Sequence, residues 1–193
     1  MSKALSRPKL MDACERAIVL ADKRYSKWTG GVTARFFAPE SLVQIVIAEC
    51  IAKLGANLLL EASVRQIVEK STGKPPKGDL PNGRIDLAIY YKSKSKLSTP
   101  RLLIEVKKVK EKESVNADYK RIVDLMNLCT GFQNGVLVGY TMAVNAETVT
   151  RRLQSVRDQT KTKIVRWVEP FNVKGKAGAA RFLGAAIYRV DHQ

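Results

Sequence analysis

The run Gly135-Val-Leu-Val-Gly-Tyr140 constrains the fold more than any other feature, because it has no polar side to turn to water. A strand apolar on both faces must be covered on both, which is the condition of a strand inside an α/β sheet. The flanking segments supply the cover. Over 116–129, Ile122, Val123, Leu125, Met126 and Cys129 fall inward at helical spacing, and 146–157 is a second helix. Shorter apolar segments predict the remaining strands at 57–61, 84–91, 101–107, 164–168 and 181–190, with Val109 able to continue the third.

Two helices are expected earlier. Leu10, Met11, Cys14, Ala17, Ile18 and Ala21 recur on one face, with Asp12, Glu15, Arg16, Lys23 and Arg24 on the other, until Trp28-Thr-Gly30-Gly31 ends the pattern. This helix would pack on the main domain or on a second copy of the chain. The next begins at Pro39, suited to a first helical turn, and runs over 39–54 with Gly55 as the cap beyond it. Val43, Val46, Ile47, Cys50, Ile51 and Leu54 cluster on one side, so it should be largely buried. Gly73, Pro75, Pro76, Gly78, Pro81 and Gly83 make 69–83 a loop, and the stretch from Lys92 to Pro100 reads as a basic hairpin loop. No internal repeat is visible.

Composition narrows the chemistry. With 193 residues and 45% of them hydrophobic, the chain can bury a core, and its length favours one domain with additions. Three cysteines (Cys14, Cys50, Cys129) form no CxxC pair and His192 is the lone histidine, which argues against a zinc site, a Ser-His-Asp triad or a Cys-His dyad. Any catalysis must run on carboxylates, lysine and hydroxyls. No apolar stretch approaches the ~20 residues needed to cross a bilayer, and no apolar run follows the first charges. A cytoplasmic protein without membrane contact is therefore expected. Thirty-four Lys+Arg against 18 Asp+Glu leave a net charge of +16, which points to a polyanionic partner, nucleic acid first.

Asp86 lies on one expected strand, and Glu105 and Lys107 lie two residues apart on the next, so the last two share a face. The nineteen positions between Asp86 and Glu105 fit a hairpin that sets the two carboxylates side by side. Mg²⁺ takes hard oxygen ligands and keeps several waters, so two carboxylates plus a substrate phosphate suffice, and a nearby lysine can position or deprotonate the attacking water. Lys-Glu-Lys patterns are common on solvated strands, but Glu105 follows Leu102-Leu103-Ile104 in a segment that should be interior, where an unpaired carboxylate is costly.

Gly83-Arg-Ile-Asp86 followed by Leu103-Ile-Glu105-Val-Lys107 resembles the PD-(D/E)XK nuclease superfamily, the restriction-endonuclease-like fold. The helix–three strands–helix–strand order over 39–141 is similar to the core of that superfamily. The resemblance implies an α/β mixed sheet flanked by helices, with 1–38 as an N-terminal helical extension and 142–193 as a C-terminal helix-and-strand extension of the same domain. It also implies a Mg²⁺-dependent endonuclease, with Mn²⁺ as a substitute metal. Asp86 and Glu105 would bind the metal and Lys107 would assist the water. A glutamate on the first core helix completes many such sites. Glu40, with Gln44 one turn on, is preferred over Glu49, which shares a flank with Lys53 as in an i,i+4 pair; Glu61 is a third acidic candidate. Asp118, Lys120 and Arg121 resemble an acidic–basic patch that some members carry on the following helix. Ile85 stands where many members have proline.

Gln44, Lys92, Lys94, Lys96, Lys108, Lys110, Arg151 and Arg152 are the candidate nucleic-acid contacts, the hairpin lysines favoured by their expected closeness to the carboxylates. Lys112, Arg157, Lys161, Lys163 and Arg166 extend the basic regions. Trp28, Tyr90, Tyr91 and Trp167 could stack on bases, although aromatic residues at strand ends are more often core. Gly175-Lys-Ala-Gly178 lacks the pattern of a phosphate-binding loop. The leading expectation is a metal-dependent nuclease acting on DNA, double-stranded in preference to single-stranded. The alternatives are a catalytically inactive nuclease-fold protein that binds nucleic acid, and a basic RNA-binding protein, which leaves the acidic cluster without a purpose. A homodimer is compatible with either.

Overall fold

A computed structural model describes residues 6–30, 38–76, 83–90, 99–111, 114–129, 134–173 and 181–191. Its elements run α1 (Arg7–Trp28), α2 (Glu40–Ala52), β1 (Asn57–Ser63), α3 (Val64–Thr72), β2 (Arg84–Tyr90), β3 (Pro100–Lys108), α4 (Asn116–Leu128), β4 (Asn134–Ala143), α5 (Ala146–Thr160), β5 (Lys163–Val173) and β6 (Arg181–Val190). The expected α/β class is observed. All six strands belong to one mixed sheet of order β1-β2-β3-β4-β6-β5, in which only β3 and β4 are parallel.

Helices cover both faces. Leu102, Ile104 and Val106 of β3 join Val136 and Val138 of β4 in a core with α1 and α2, while Leu103 turns to the opposite core under α3 and α4. A third cluster seats α5 through Val149, Leu153 and Val156 against Leu137, Ala186 and Tyr188. The apolar run at β4 is thus covered on both sides, as its composition demands. Leu10, Cys14, Ala17 and Ile18 of α1 are spent against α2 and the sheet of the same chain. Among the described residues no helix is long and apolar enough to cross a membrane.

Two elements depart from expectation. Residues after β1 for which no element is expected, together with the first four of the expected 69–83 loop, form helix α3, started by Ser63, whose side chain accepts from Gln66 N–H at 3.1 Å, and stopped by Gly73 in the left-handed region. Only Val64, Ile67 and Val68 of α3 are buried, so few apolar residues mark it. The second departure is β5, which runs on to Val173 through Pro170. It is an edge strand, and the ladder slips between Val168 and Phe171, where the proline's missing N–H can be absorbed.

Two local features prepare the functional end of the sheet. The Tyr140 hydroxyl donates to Ala38 O at 3.2 Å and so fixes the chain entering α2 beside the end of β3. Gly135 lets α4 lie close on β4, because a Cβ there would stand 2.2 Å from Ile122 Cγ2. The start of α4 is thereby held over β3.

Candidate active site

The β2–β3 ladder opens at one end. Pairing runs from Tyr90/Pro100 to Leu87/Ile104 and stops, while the first residues of β2 remain with β1 and β3 continues with β4 as far as Lys108/Tyr140. Backbone N–H groups of β3 that would have bonded β2 need other acceptors, since a buried unpaired donor is costly. Side-chain carboxylates supply them. Asp86 Oδ2 accepts from Val106 N–H at 2.7 Å, and Glu40 Oε1, at the first residue of α2, accepts from Lys108 N–H at 2.8 Å. Two acidic side chains therefore stand along the open edge of one strand, two residues apart in register.

Glu105 immediately precedes the first of those donors in sequence and projects toward α4. It is 3% exposed, and its Oε1 receives Arg121 Nη1 at 2.6 Å. Lys107, on the same face, lies 3.7 Å from Asp118 Oδ2 through its Nζ. Asp118 and Arg121 are one helical turn apart and themselves paired at 3.5 Å, so α4 opposes an acid–base pair to the Glu105–Lys107 pair of β3.

Burial raises the pKa of both Asp86 and Glu105. Asp86 is pulled back by hydrogen bonds from the Val106 N–H and from the Glu105 and Gln44 side chains. Glu105 is pushed up to about 9 by burial and then by the Asp86 charge, with Arg121 opposing the rise. The two carboxyls act on one another, and burial favours the protonated form of Glu105. Folding therefore binds a proton at Glu105 between its ordinary value of 4.5 and about 9. The stability this provides is fully present below the lower value and is lost as pH climbs through the upper one. Thermal melts of metal-free protein should show Glu105→Gln gaining on wild type steadily from about pH 5 to about pH 9; a constant gap between the two would contradict the raised pKa of Glu105.

Of the sequence candidates, Asp86, Glu105, Lys107, Glu40 and Gln44 come together. Glu49 does not: its Oε2 pairs with Arg24 of α1 at 2.7 Å rather than with Lys53. Glu61 sits in β1 between the registers Leu60/Leu87 and Ala62/Ile85, level with Asp86. It takes a left-handed φ of +50°, rare for glutamate, and its charge reaches Asp86. Arg121 acts on the site more directly than its place in an acidic–basic patch suggests; a basic residue three positions after Asp118 on a predicted helix was the available signal.

The basic candidates divide by sheet end. Lys108 and Lys110 leave β3 at the open end. Glu111 then pairs with Arg151 at 3.6 Å and Arg152 at 3.4 Å, drawing the start of α5 to the same place. Arg152 also donates to Met142 O at 3.0 Å, whereas Arg151 is exposed. Lys92, Lys94, Lys96, Lys112 and Tyr91 lie outside the described residues. The strand ends leading to the hairpin, Tyr90 and Pro100, are at the far end of the ladder from Asp86 and Glu105, so the expected closeness does not follow from the register. Arg157 pairs with Asp158, and Arg166 with Asp12 of α1. Trp28 is exposed at the end of α1, Trp167 packs partly under α5, and Tyr90 is buried with Lys70 over its ring.

Among the described residues no three His, Cys, Asp or Glu side chains gather tightly enough to form a complete metal cage. The donor set nevertheless suits a hard, water-retaining cation: two carboxyls, buried and in contact, whose mutual repulsion a divalent ion would relieve. No family model, curated protein or solved structure matches this chain.

Proposed function

We propose that this protein is a Mg²⁺-dependent nuclease that hydrolyses phosphodiester bonds in DNA, on a restriction-endonuclease-like core formed by α2, β1–β3, α4 and β4. The observation that carries the reading is the opened β2–β3 edge, where Asp86 caps the Val106 N–H beside a buried Glu105 with Lys107 two residues on. A sheet gains nothing from ending a ladder on acidic side chains and burying another beside them, unless the cluster serves a ligand.

Asp86 and Glu105 would hold the cation, which when bound supplies Lewis acidity at the scissile phosphate and lowers the pKa of a coordinated water. Lys107, kept near by Asp118, orients the attacking water and offsets phosphate charge. Glu40 and Gln44 act from the other side of the opening, Glu40 by fixing the strand end at Lys108 and Gln44 by donating to Asp86. The second reading, a nucleic-acid-binding protein with a silent site, is favoured by the 2.6 Å Arg121–Glu105 pair, which satisfies one Glu105 oxygen without metal. A Mg²⁺-dependent cleavage assay on supercoiled, linear and single-stranded DNA separates them: cutting that stops with EDTA supports the nuclease, and binding without cutting supports the alternative.

The substrate would approach the open end of the sheet. Duplex binding should weaken steeply with salt, by about −0.9 in log–log slope per phosphate neutralised. Lys110→Ala and Arg151→Ala should each flatten the slope by about 1. The triple exchange of Lys92, Lys94 and Lys96 to alanine is the counter-test. If it alone flattens the slope, the duplex does not bind at the open end.

A further inference from the structure

Arg121 is placed by more contacts than an ordinary ion pair requires. Its Nη1 lies 2.6 Å from Glu105 Oε1, 3.3 Å from Arg84 O and 3.5 Å from Asp118 Oδ1. The guanidinium therefore spans α4, the first residue of β2 and the buried carboxyl of β3, across the place where β2 and β3 separate. Gly83 makes room for it: the backbone there has a φ of +114°, and a Cβ would stand 3.2 Å from Arg121 Nε. One terminal nitrogen makes all three contacts while the rigid guanidinium plane behind it lies against Gly83, and a lysine ammonium on a flexible stem lacks the plane that fixes this placement.

We propose that Arg121 is the positioning residue of the metal site, setting the Glu105 carboxylate toward Asp86 so that both can ligate one cation. The inference rests on the metal-dependent reading above. Glu105 is a long side chain with three rotatable bonds, and Asp86 alone does not fix its rotamer. Arg121 grips it from α4, while Arg84 O and Gly83 stop the guanidinium from following the carboxylate elsewhere. Asp118 completes the arrangement by pairing both with Arg121 on α4 and with Lys107 on β3. The residue touches neither water nor phosphate in this role, so its loss should weaken the metal and leave the DNA alone.

Calorimetry with Mn²⁺ on folded, DNA-free protein tests this. Outer-shell partners typically change metal affinity or activity by about 10- to 100-fold, and Arg121→Lys should weaken Mn²⁺ binding by that amount despite its retained charge. Metal-free duplex affinity and its salt slope should stay at wild-type values, and cleavage should recover at high Mn²⁺. Arg121→Gln should reproduce the loss of Mn²⁺ affinity, and it keeps the inference testable if Arg121→Lys does not fold. Several results overturn the proposal. Wild-type Mn²⁺ affinity with a lowered melting temperature would make Arg121 a structural staple only. A flattened salt slope in Arg121→Gln, with Mn²⁺ affinity intact in Arg121→Lys, would make it a phosphate contact. Wild type and Glu105→Gln provide the reference. If wild type binds no Mn²⁺, or Glu105→Gln binds it equally well, the metal-site reading falls and takes this inference with it. Binding lost in Glu105→Gln but kept in Arg121→Lys overturns the inference alone.

Discussion

Asp86→Asn should cut DNA more than ~100-fold more slowly than wild type, beyond the usual range for groups that only support a metal's ligands. The exchange is close to isosteric, and the side-chain amide keeps an oxygen for the Val106 N–H now bound at 2.7 Å, so the open edge of β3 remains satisfied. What disappears is the charge. Asp86 is drawn out of water by burial, and its repulsion helps to hold a proton on Glu105. The variant should therefore fold at least as well as wild type while losing Mn²⁺ affinity. Duplex binding should survive or tighten, since one negative charge leaves a face that meets phosphate. Glu105→Gln should behave alike, keeping an acceptor for Arg121. The pairing of retained binding with lost cleavage is the diagnostic result, read by gel shift and plasmid nicking on the same preparations. Asp86→Asn cutting at the wild-type rate would remove the metal site proposed here and put the cleaving groups elsewhere.

The parts of the fold that follow from burial were legible in the chain. The fully apolar β4 required two covering layers, and α1, α2 and α4 announced themselves through apolar spacing. Helix α3 was hidden because it buries only three residues, though Ser63 with Gln66 three positions later was a readable start and Gly73 a readable stop. The site was half legible. Asp86, Glu105 and Lys107 could be paired by strand alternation and hairpin spacing, which are short-range rules. The fork in the sheet is not short-range. It arises where β2 stays with β1 and β3 stays with β4, and it decides that Glu40 caps Lys108 and that Arg121 can reach Arg84 O. Beyond the end of β3, Glu111 likewise draws Arg151 and Arg152 toward the open end of the sheet. Glu49 shows the limit from another side: i,i+4 spacing suggested Lys53, and packing of α1 on α2 supplied Arg24 instead.

Lys107→Ala should also stop most cleavage, by about 10²- to 10⁴-fold, the range over which a positioned proton-transfer group contributes, yet it should leave Mn²⁺ affinity near wild type. The separation follows from where the side chain stands. Lys107 shares the Glu105 face of β3 but lies one pleat further toward the open end, with its Nζ 3.7 Å from Asp118 Oδ2. Removing it takes a cation from beside the site, which by itself favours metal binding, so any large loss of Mn²⁺ affinity would show that the lysine builds the site instead of serving the water. Duplex affinity should fall only slightly, by one charge among the many on a +16 chain. Lys107→Arg keeps that charge but replaces a compact ammonium with a delocalised guanidinium of much higher pKa, a poor proton acceptor. If Lys107 acts on the water, Lys107→Arg should restore DNA affinity without restoring the rate. If it only neutralises phosphate, Lys107→Arg should recover both, and the rate at saturating Mn²⁺ distinguishes the two roles.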